Sequence, residues 1–528
     1  MTTNQIKAGV KEAVNTEKKR IAQNTLYLYL RMLFNLVVGL YSSRIILNVL
    51  GVSDYGLYNV VGGVVVLFSF LTGALGGATS RYITFHVGKK NTDELIKVFG
   101  NLKTLHVLLA LVIFALAETI GLWFLNTQLN IPAGREEASF WVYQCAVLSA
   151  VIGILSLPYY SDLIAHERLG LYAVFTTIET ILKLVIVIVL PYIQYDSLIV
   201  YSFLFLLITT ITRILFLTYS RAKFIEARSK PLFDKKLLHE ISLFAIWTLV
   251  GHFAVMGTTQ GLNILLNLFF GTVVNAARGV AVQVQGVIMQ FCYNFQMALN
   301  PQLTKSYADG DLANMRRLLV ISSKFSFYLL LLLTLPIVLE TDTVLNLWLK
   351  NVPQHTVWFV RLILLQSLML ALSNPLSISI QATGKIKKIK IYEGLCQILT
   401  LPISYLVLKF SNYPPEIVFI ISCLVEIFTQ IVRVKMILPI ISIKVSNYEE
   451  EVIMPVFKVL FVASLLPLLF SIYKDSTILN SCISILLSAT SVCLCSYCLG
   501  LSHNERLYMN RIIATKLNLS RVINKIKS

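Results

Sequence analysis

The sequence predicts an all-α, polytopic membrane protein, with about fourteen transmembrane helices arranged as two six-helix lobes plus two C-terminal helices. Three observations predict it. The 528 residues are 56% hydrophobic and only 14% charged, with a mean hydropathy of +0.74, whereas a soluble domain carries about 25% charged residues. Apolar runs long enough to cross a bilayer, about 20 residues each, recur along the chain. The basic residues between those runs fall almost entirely on alternate connections. This composition excludes a soluble enzyme, a nucleic-acid-binding domain and a disordered chain. Nucleic acid is therefore not an expected partner, and membrane lipid is the first one.

The elements follow in order. Residues 1–22 are polar and basic, with Lys7, Lys11, Lys18, Lys19 and Arg20, and lack the apolar core and small-residue cleavage site of a signal peptide. They read as a basic amphipathic segment on the cytoplasmic membrane surface. Residues 23–219 hold spans 23–49, 56–86, 102–126, 139–165, 171–191 and 197–219. Residues 220–236 form a basic cytoplasmic linker. Residues 237–440 hold 237–269, 272–304, 318–340, 355–380, 391–409 and 415–438, and residues 441–502 hold 453–473 and 478–502. The tail 503–528 is again basic and amphipathic, with Leu519, Val522, Ile523 and Ile526 at helical spacing between Arg521, Lys525 and Lys527, as in helices that lie on an anionic leaflet. The runs are too long, and too poor in period-two alternation, for a β-barrel.

Charge tests the count. With both termini inside, 34 of the 45 Lys and Arg are assigned to cytoplasmic segments. Only Arg135, Lys350, Lys409 and Lys474 lie outside, and seven lie within spans. A miscounted span would invert the alternation beyond it and destroy this bias, so the positive-inside rule supports an even count with both termini cytoplasmic. No connection is long enough for a soluble domain, so function resides in the membrane helices. Gly51 and Gly271 occupy equivalent outside turns, and Thr84 and Thr304 equivalent cytoplasmic helix ends, both at an offset of 220 residues. An offset of six helices keeps both copies in one orientation, which implies two lobes about an axis along the membrane normal.

The chain resembles the Wzx-type polysaccharide flippases of the multidrug/oligosaccharidyl-lipid/polysaccharide exporter superfamily. The resemblance rests on Ser43-Arg44-Ile45-Ile46-Leu47-Asn48-Val49-Leu50-Gly51-Val52-Ser53-Asp54-Tyr55-Gly56-Leu57-Tyr58, on Thr79-Ser80-Arg81-Tyr82-Ile83, on Asn275-Ala276-Ala277-Arg278-Gly279 with Ala298-Leu299-Asn300-Pro301-Gln302-Leu303-Thr304-Lys305, and on Gly310-Asp311. It spans roughly residues 20–500. It implies a helical bundle around a central cavity. It also implies transfer of an undecaprenyl-diphosphate-linked oligosaccharide across the bacterial inner membrane by alternating access, for O-antigen, capsule or exopolysaccharide assembly, alongside other polysaccharide assembly proteins. Relatives in the superfamily that flip lipid-linked precursors use cavity arginines on the first helices of each lobe, the helices that carry Arg31, Arg81 and Arg278 here.

Charges inside the bilayer carry the site expectations. A charge at the bilayer centre costs roughly 2.5–3.5 kcal/mol on insertion scales, so it needs a partner, a wet cavity or a route to the headgroups. Arg31, Arg278, Arg81, Lys183, Arg44 and Arg361 are candidates to bind the substrate's diphosphate, because the guanidinium fork suits phosphate oxygens. Against that reading, Arg44 and Arg361 lie near outer ends and can snorkel, and Lys183 stands four residues after Glu179, in ion-pair order. Arg213 and Lys458 lie near cytoplasmic ends and read as snorkelling. The intramembrane acids Glu118, Glu179 and Glu426 are candidates to couple transport to a proton or sodium gradient.

No catalytic residue, metal ligand set or cofactor is expected. The eight cysteines read as small hydrophobes rather than a disulfide framework. Rival functions are a multidrug antiporter of the same fold, which predicts an acid-dominated cavity, and a membrane polysaccharide polymerase or ligase. The latter predicts a large outside loop or acidic pairs at the membrane surface, whereas no outside loop here is large and the first offers only Asp54.

Overall fold

In the computed structural model, residues 69–127, 134–349, 352–473 and 477–507 (504 apart) are described, together with 23–39 and a few isolated positions between 41 and 57 and at 131. Arg44, the segment 1–22 and the tail beyond 507 lie outside the described residues. Within them the chain is helical, with no strand. We label the long helices α1 (23–39), α2 (Ser69–Gly88), α3 (Thr92–Thr127), α4 (Glu136–Ala165), α5 (Leu169–Tyr192), α6 (Ser197–Lys223), α7 (Lys235–Phe270), α8 (Thr272–Ala308), α9 (Leu312–Leu339), α10 (Thr356–Thr383), α11 (Lys387–Phe410), α12 (Ile417–Ile440), α13 (Val445–Tyr473) and α14 (Ile478–Gly500).

Eleven of these, α3–α7 and α9–α14, are long and apolar enough to cross a membrane, so the protein is a multi-pass membrane protein. They coincide with eleven of the fourteen predicted spans. Of the other three, α8 is an unbroken 37-residue helix whose Asn275, Arg278, Gln283, Gln285, Gln290, Asn294 and Gln296 dilute its apolarity. α1 and α2 adjoin residues outside the description.

The helix ends obey local chemistry. Asn91 caps α3 by accepting from the Glu94 amide (3.2 Å), Asp196 caps α6 through the Leu198 and Ile199 amides (3.0 and 3.1 Å), and Asp234 caps α7. Gly310 and Gly384 turn the chain between helices at φ of +76° and +78°, where a side chain would be strained. Exposed leucines, isoleucines and phenylalanines along α13 and α14, such as Phe461, Leu466 and Leu486, make a lipid face. In contrast, two thirds of the apolar stretch of α9 is buried.

The chain forms two compact units. One comprises residues 1–256, 297–315 and 378–394; the other comprises 257–296, 316–377 and 395–528. The first has an apolar core of Val142, Val147, Ile186, Leu190, Leu198 and Ile208 from α4, α5 and α6. It also takes in the end of α8 with the start of α9, and the end of α10 with the start of α11. The second is centred on the buried faces of α9, α10 and α12.

Three cations assigned to cytoplasmic segments prove to be buried side chains on helices: Lys103, Lys324 and Arg433 are 7%, 3% and 4% exposed. Each is stabilised by acceptors that periodicity does not reveal. Lys103 reaches the Ala227 and Ser229 carbonyls, Lys324 the Glu505 carboxylate, and Arg433 the Glu426 carboxylate.

Candidate functional site

The first unit carries a polar seam between α1 and α5. Tyr172, Thr176, Glu179, Thr180 and Lys183 recur at three- and four-residue spacing, so they share one face of α5. The Arg31 guanidinium lies 5.0 Å from the centre of the Tyr172 ring, and its Nη1 is 3.4 Å from Thr176 Oγ1. One turn on, Thr180 donates to Asn35 (2.9 Å). Gly170 lets the two helices meet, since a Cβ there would stand 3.1 Å from the Tyr27 ring. Lys183 pairs with Glu179 at 2.7 Å and lies over the Phe205 ring.

Glu118 sits in a one-turn π-helix, Ala117–Gly121, within α3. Its Oε2 accepts from Gln144 on α4 at 3.1 Å, while its Oε1 is buried without a partner. The Tyr143 hydroxyl donates to the Ala117 carbonyl, and a Cβ on Gly121 would collide with that hydroxyl. The glycine is thus what lets α4 approach the widened turn.

Three sets of contacts join separate chain segments within the first unit. Arg81 donates to the Gln381 and Ala382 carbonyls (3.0 and 3.3 Å) and lies over the rings of Tyr82, Phe85 and Phe244. Gly384 turns the chain against this guanidinium, 2.9 Å from where its Cβ would be. Glu167, held at φ +58° between α4 and α5, accepts from Lys305 (2.7 Å) and Gln302 (3.1 Å) on α8. Gly88 lies against the backbone of Lys305. Arg81 therefore spends donors on backbone carbonyls in this state.

The second unit buries two arginines. Arg433 pairs with Glu426 at 2.6 Å and donates to Ser373 and Gln430. The neighbouring Asn374 donates to Gln296, which itself bonds Ser326 and the Ala371 carbonyl. Arg278, 6% exposed, donates to Asn263 and to the Thr259 carbonyl (3.0 Å) on α7. Arg361 pairs with Asp342 at 2.9 Å and donates to the Val338 carbonyl.

Among the described residues, then, Arg31 and Arg278 are cations on long helices whose hydrogen-bond partners are neutral, and the Nε of each is buried without a partner. Lys183 and Arg361 have carboxylates. Sequence spacing shows the Glu179–Lys183 pair but not the Arg433–Glu426 pair, whose seven-residue separation is two helical turns.

Outside the spans, Arg135 joins Asp54 and Asp196. Burial alone would raise the Asp196 pKa, but the Ile199 amide and Arg135 hold it below the ordinary value. Burial opposes ionisation of Glu226 too, and the His166 hydrogen bond outweighs it and lowers that carboxyl.

The fold and the embedded charges define a class: a polytopic helical membrane protein with polar, partly cationic seams. No known protein family and no curated protein matches the chain by sequence. Among solved structures it is similar to MATE transporters of the MOP superfamily. A transporter of that superfamily from Pyrococcus furiosus, described for the reverse polarity of its binding pocket, is 14% identical with a TM-score of 0.67. An outward-facing multidrug resistance MATE transporter is 14% identical at 0.66, and a point mutant of a MATE protein is 15% identical at 0.68. Each match covers 79% of this chain and 94% of the other. The chain has the MATE-like fold.

Proposed function

We propose that the protein is a transporter that moves an anionic lipid-linked substrate, an undecaprenyl-diphosphate-linked oligosaccharide, between the leaflets of the bacterial inner membrane by alternating access. The observation that carries this reading is the charge balance inside the helices. Arg31 and Arg278 meet neutral oxygens and a ring, whereas Glu179 and Glu426 are neutralised by Lys183 and Arg433. A cation with neutral partners in each unit favours phosphate, and two of the three candidate acids, Glu179 and Glu426, are already engaged. The P. furiosus neighbour's description, that reverse pocket polarity suggests a different function, supports treating polarity as the discriminator within this fold.

Arg81 becomes available to a headgroup only if its bonds to the Gln381 and Ala382 carbonyls are released. Glu118, with one carboxylate oxygen unpartnered, is our candidate to take up a coupling proton or sodium ion.

Leaflet-specific detection of the lipid-linked unit in a deletion strain tests the proposal. Accumulation on the cytoplasmic face, relieved by the wild-type gene and not by an Arg31→Gln, Arg278→Gln variant, is the expected result. Normal glycan export with new sensitivity to cationic drugs would instead establish a multidrug antiporter, the reading favoured by the MATE neighbours.

A further inference from the structure

The first unit contains a three-residue cluster apart from the polar seam. Asp162 lies in the last turn of α4 and His166 directly follows that helix, so the two stand four residues apart on one face. Glu226 opens the short turn Glu226–Arg228 after α6. His166 Nε2 is 2.7 Å from Glu226 Oε1 and 3.7 Å from Asp162 Oδ1. One donor atom of each residue lies within 4.8 Å of the other two.

Two features point beyond an ordinary ion pair. Asp162 is fully buried, and outside the cluster itself, where its carboxyl lies against that of Glu226, neither of its oxygens meets a donor. A buried carboxylate left so is costly. Lys103 interacts with Asp162 only at longer range, and spends its hydrogen bonds on the Ala227 and Ser229 carbonyls (2.8 and 2.5 Å). It thereby holds the turn that presents Glu226. The imidazole is fixed in plane by stacking on Phe224, 4.2 Å away and tilted by 8°. His166 and Glu226 also line a cleft of about 270 Å³, shared with His86, Leu95 and Phe224, which opens the cluster to the surface.

We infer that Asp162, His166 and Glu226 form a binding site for a divalent transition-metal ion of the Zn²⁺ class. One imidazole nitrogen and two carboxylates are a donor set such ions accept, and three protein ligands leave a fourth position for water on the cleft side. The ion supplies the partner that the Asp162 oxygens lack. It ties the end of α4 to the connection leading into α7, segments 60 residues apart in the chain, so its occupancy bears on how firmly that connection is held. The inference is independent of what is transported.

The test is metal counting on full-length protein in detergent, stripped with chelator, equilibrated with micromolar Zn²⁺ and desalted. About one ion per chain is expected, with a rise in the thermal unfolding midpoint. His166→Gln and Glu226→Gln should each weaken binding by about tenfold or more. Asp162→Asn should abolish the Zn²⁺-dependent rise while raising the midpoint of the stripped protein, because it removes a buried carboxyl crowded against that of Glu226. Metal-free wild type after equilibration, or equal binding by the variants, overturns the inference. So does an Asp162→Asn variant less stable than wild type without metal, which would identify an imidazolium bridging two carboxylates. The wild-type count stands by itself should a variant fail to fold.

Discussion

Arg433 and Arg278 lie in the same unit, both on long helices and both nearly sealed from solvent, yet they are held in opposite ways. Arg433 is closed: a carboxylate on its own helix, a serine on α10 and a glutamine occupy its donors. Arg278 faces an asparagine and a carbonyl of α7, with no acid among the described residues. The first arrangement leaves no net charge to offer a ligand. The second keeps a full positive charge in a low-dielectric setting at the cost of desolvation. A buried arginine is thus not a functional signal by itself; the charge of its partners decides whether it is structure or site. In the first unit, Lys183 and Arg31 repeat the contrast along one face of α5.

Variants can break that contrast. The largest effect belongs to Glu426→Gln, which strands the buried Arg433 charge. A loss of about 3–5 kcal/mol is expected, read as a large fall in the thermal midpoint; an unchanged midpoint would show that Arg433 is satisfied without Glu426.

Arg278→Gln comes next. Its amide can keep a bond to α7, so folding should be nearly unaltered while leaflet transfer falls about tenfold, equivalent to about 1.4 kcal/mol. Equal losses in stability and transfer would reduce Arg278 to a packing residue.

Asp196→Asn, which weakens the ion pair to Arg135, should cost about 1 kcal/mol. The acid dependence has a definite sign. Because the folded pKa of Asp196 lies below its ordinary value of 3.8, its stabilisation is complete above that value and fades as pH falls through the lower folded pKa. Unfolding midpoints of wild type and Asp196→Asn should therefore converge in that acid range and stay apart at neutral pH.

The smallest effect is expected of the double variant Glu426→Leu, Arg433→Met. Replacing a closed ion pair by apolar groups of similar volume is often neutral, so its midpoint should return close to wild type. A double variant as unstable as Glu426→Gln would mean that the surrounding Ser373–Gln430 network needs the charges.

The sequence by itself determined the helical membrane class and the places of eleven spans, because the cost of exposing peptide groups to lipid forces long apolar helices whose pattern is local. It also determined the Glu179–Lys183 pair, whose members are separated by one turn. Only the tertiary structure decided which embedded charges are spent. The Arg433 network draws on Ser373, 60 residues away, Arg81 reaches carbonyls 300 residues on, and Glu167 meets Lys305 from a turn that no periodicity marks. No metal ligand set was expected from the sequence, because Glu226 joins Asp162 and His166 only through the fold, 60 residues on from His166. Electrostatic partnership depends on distances of a few ångströms between helices, and the one-dimensional order of residues does not encode those distances.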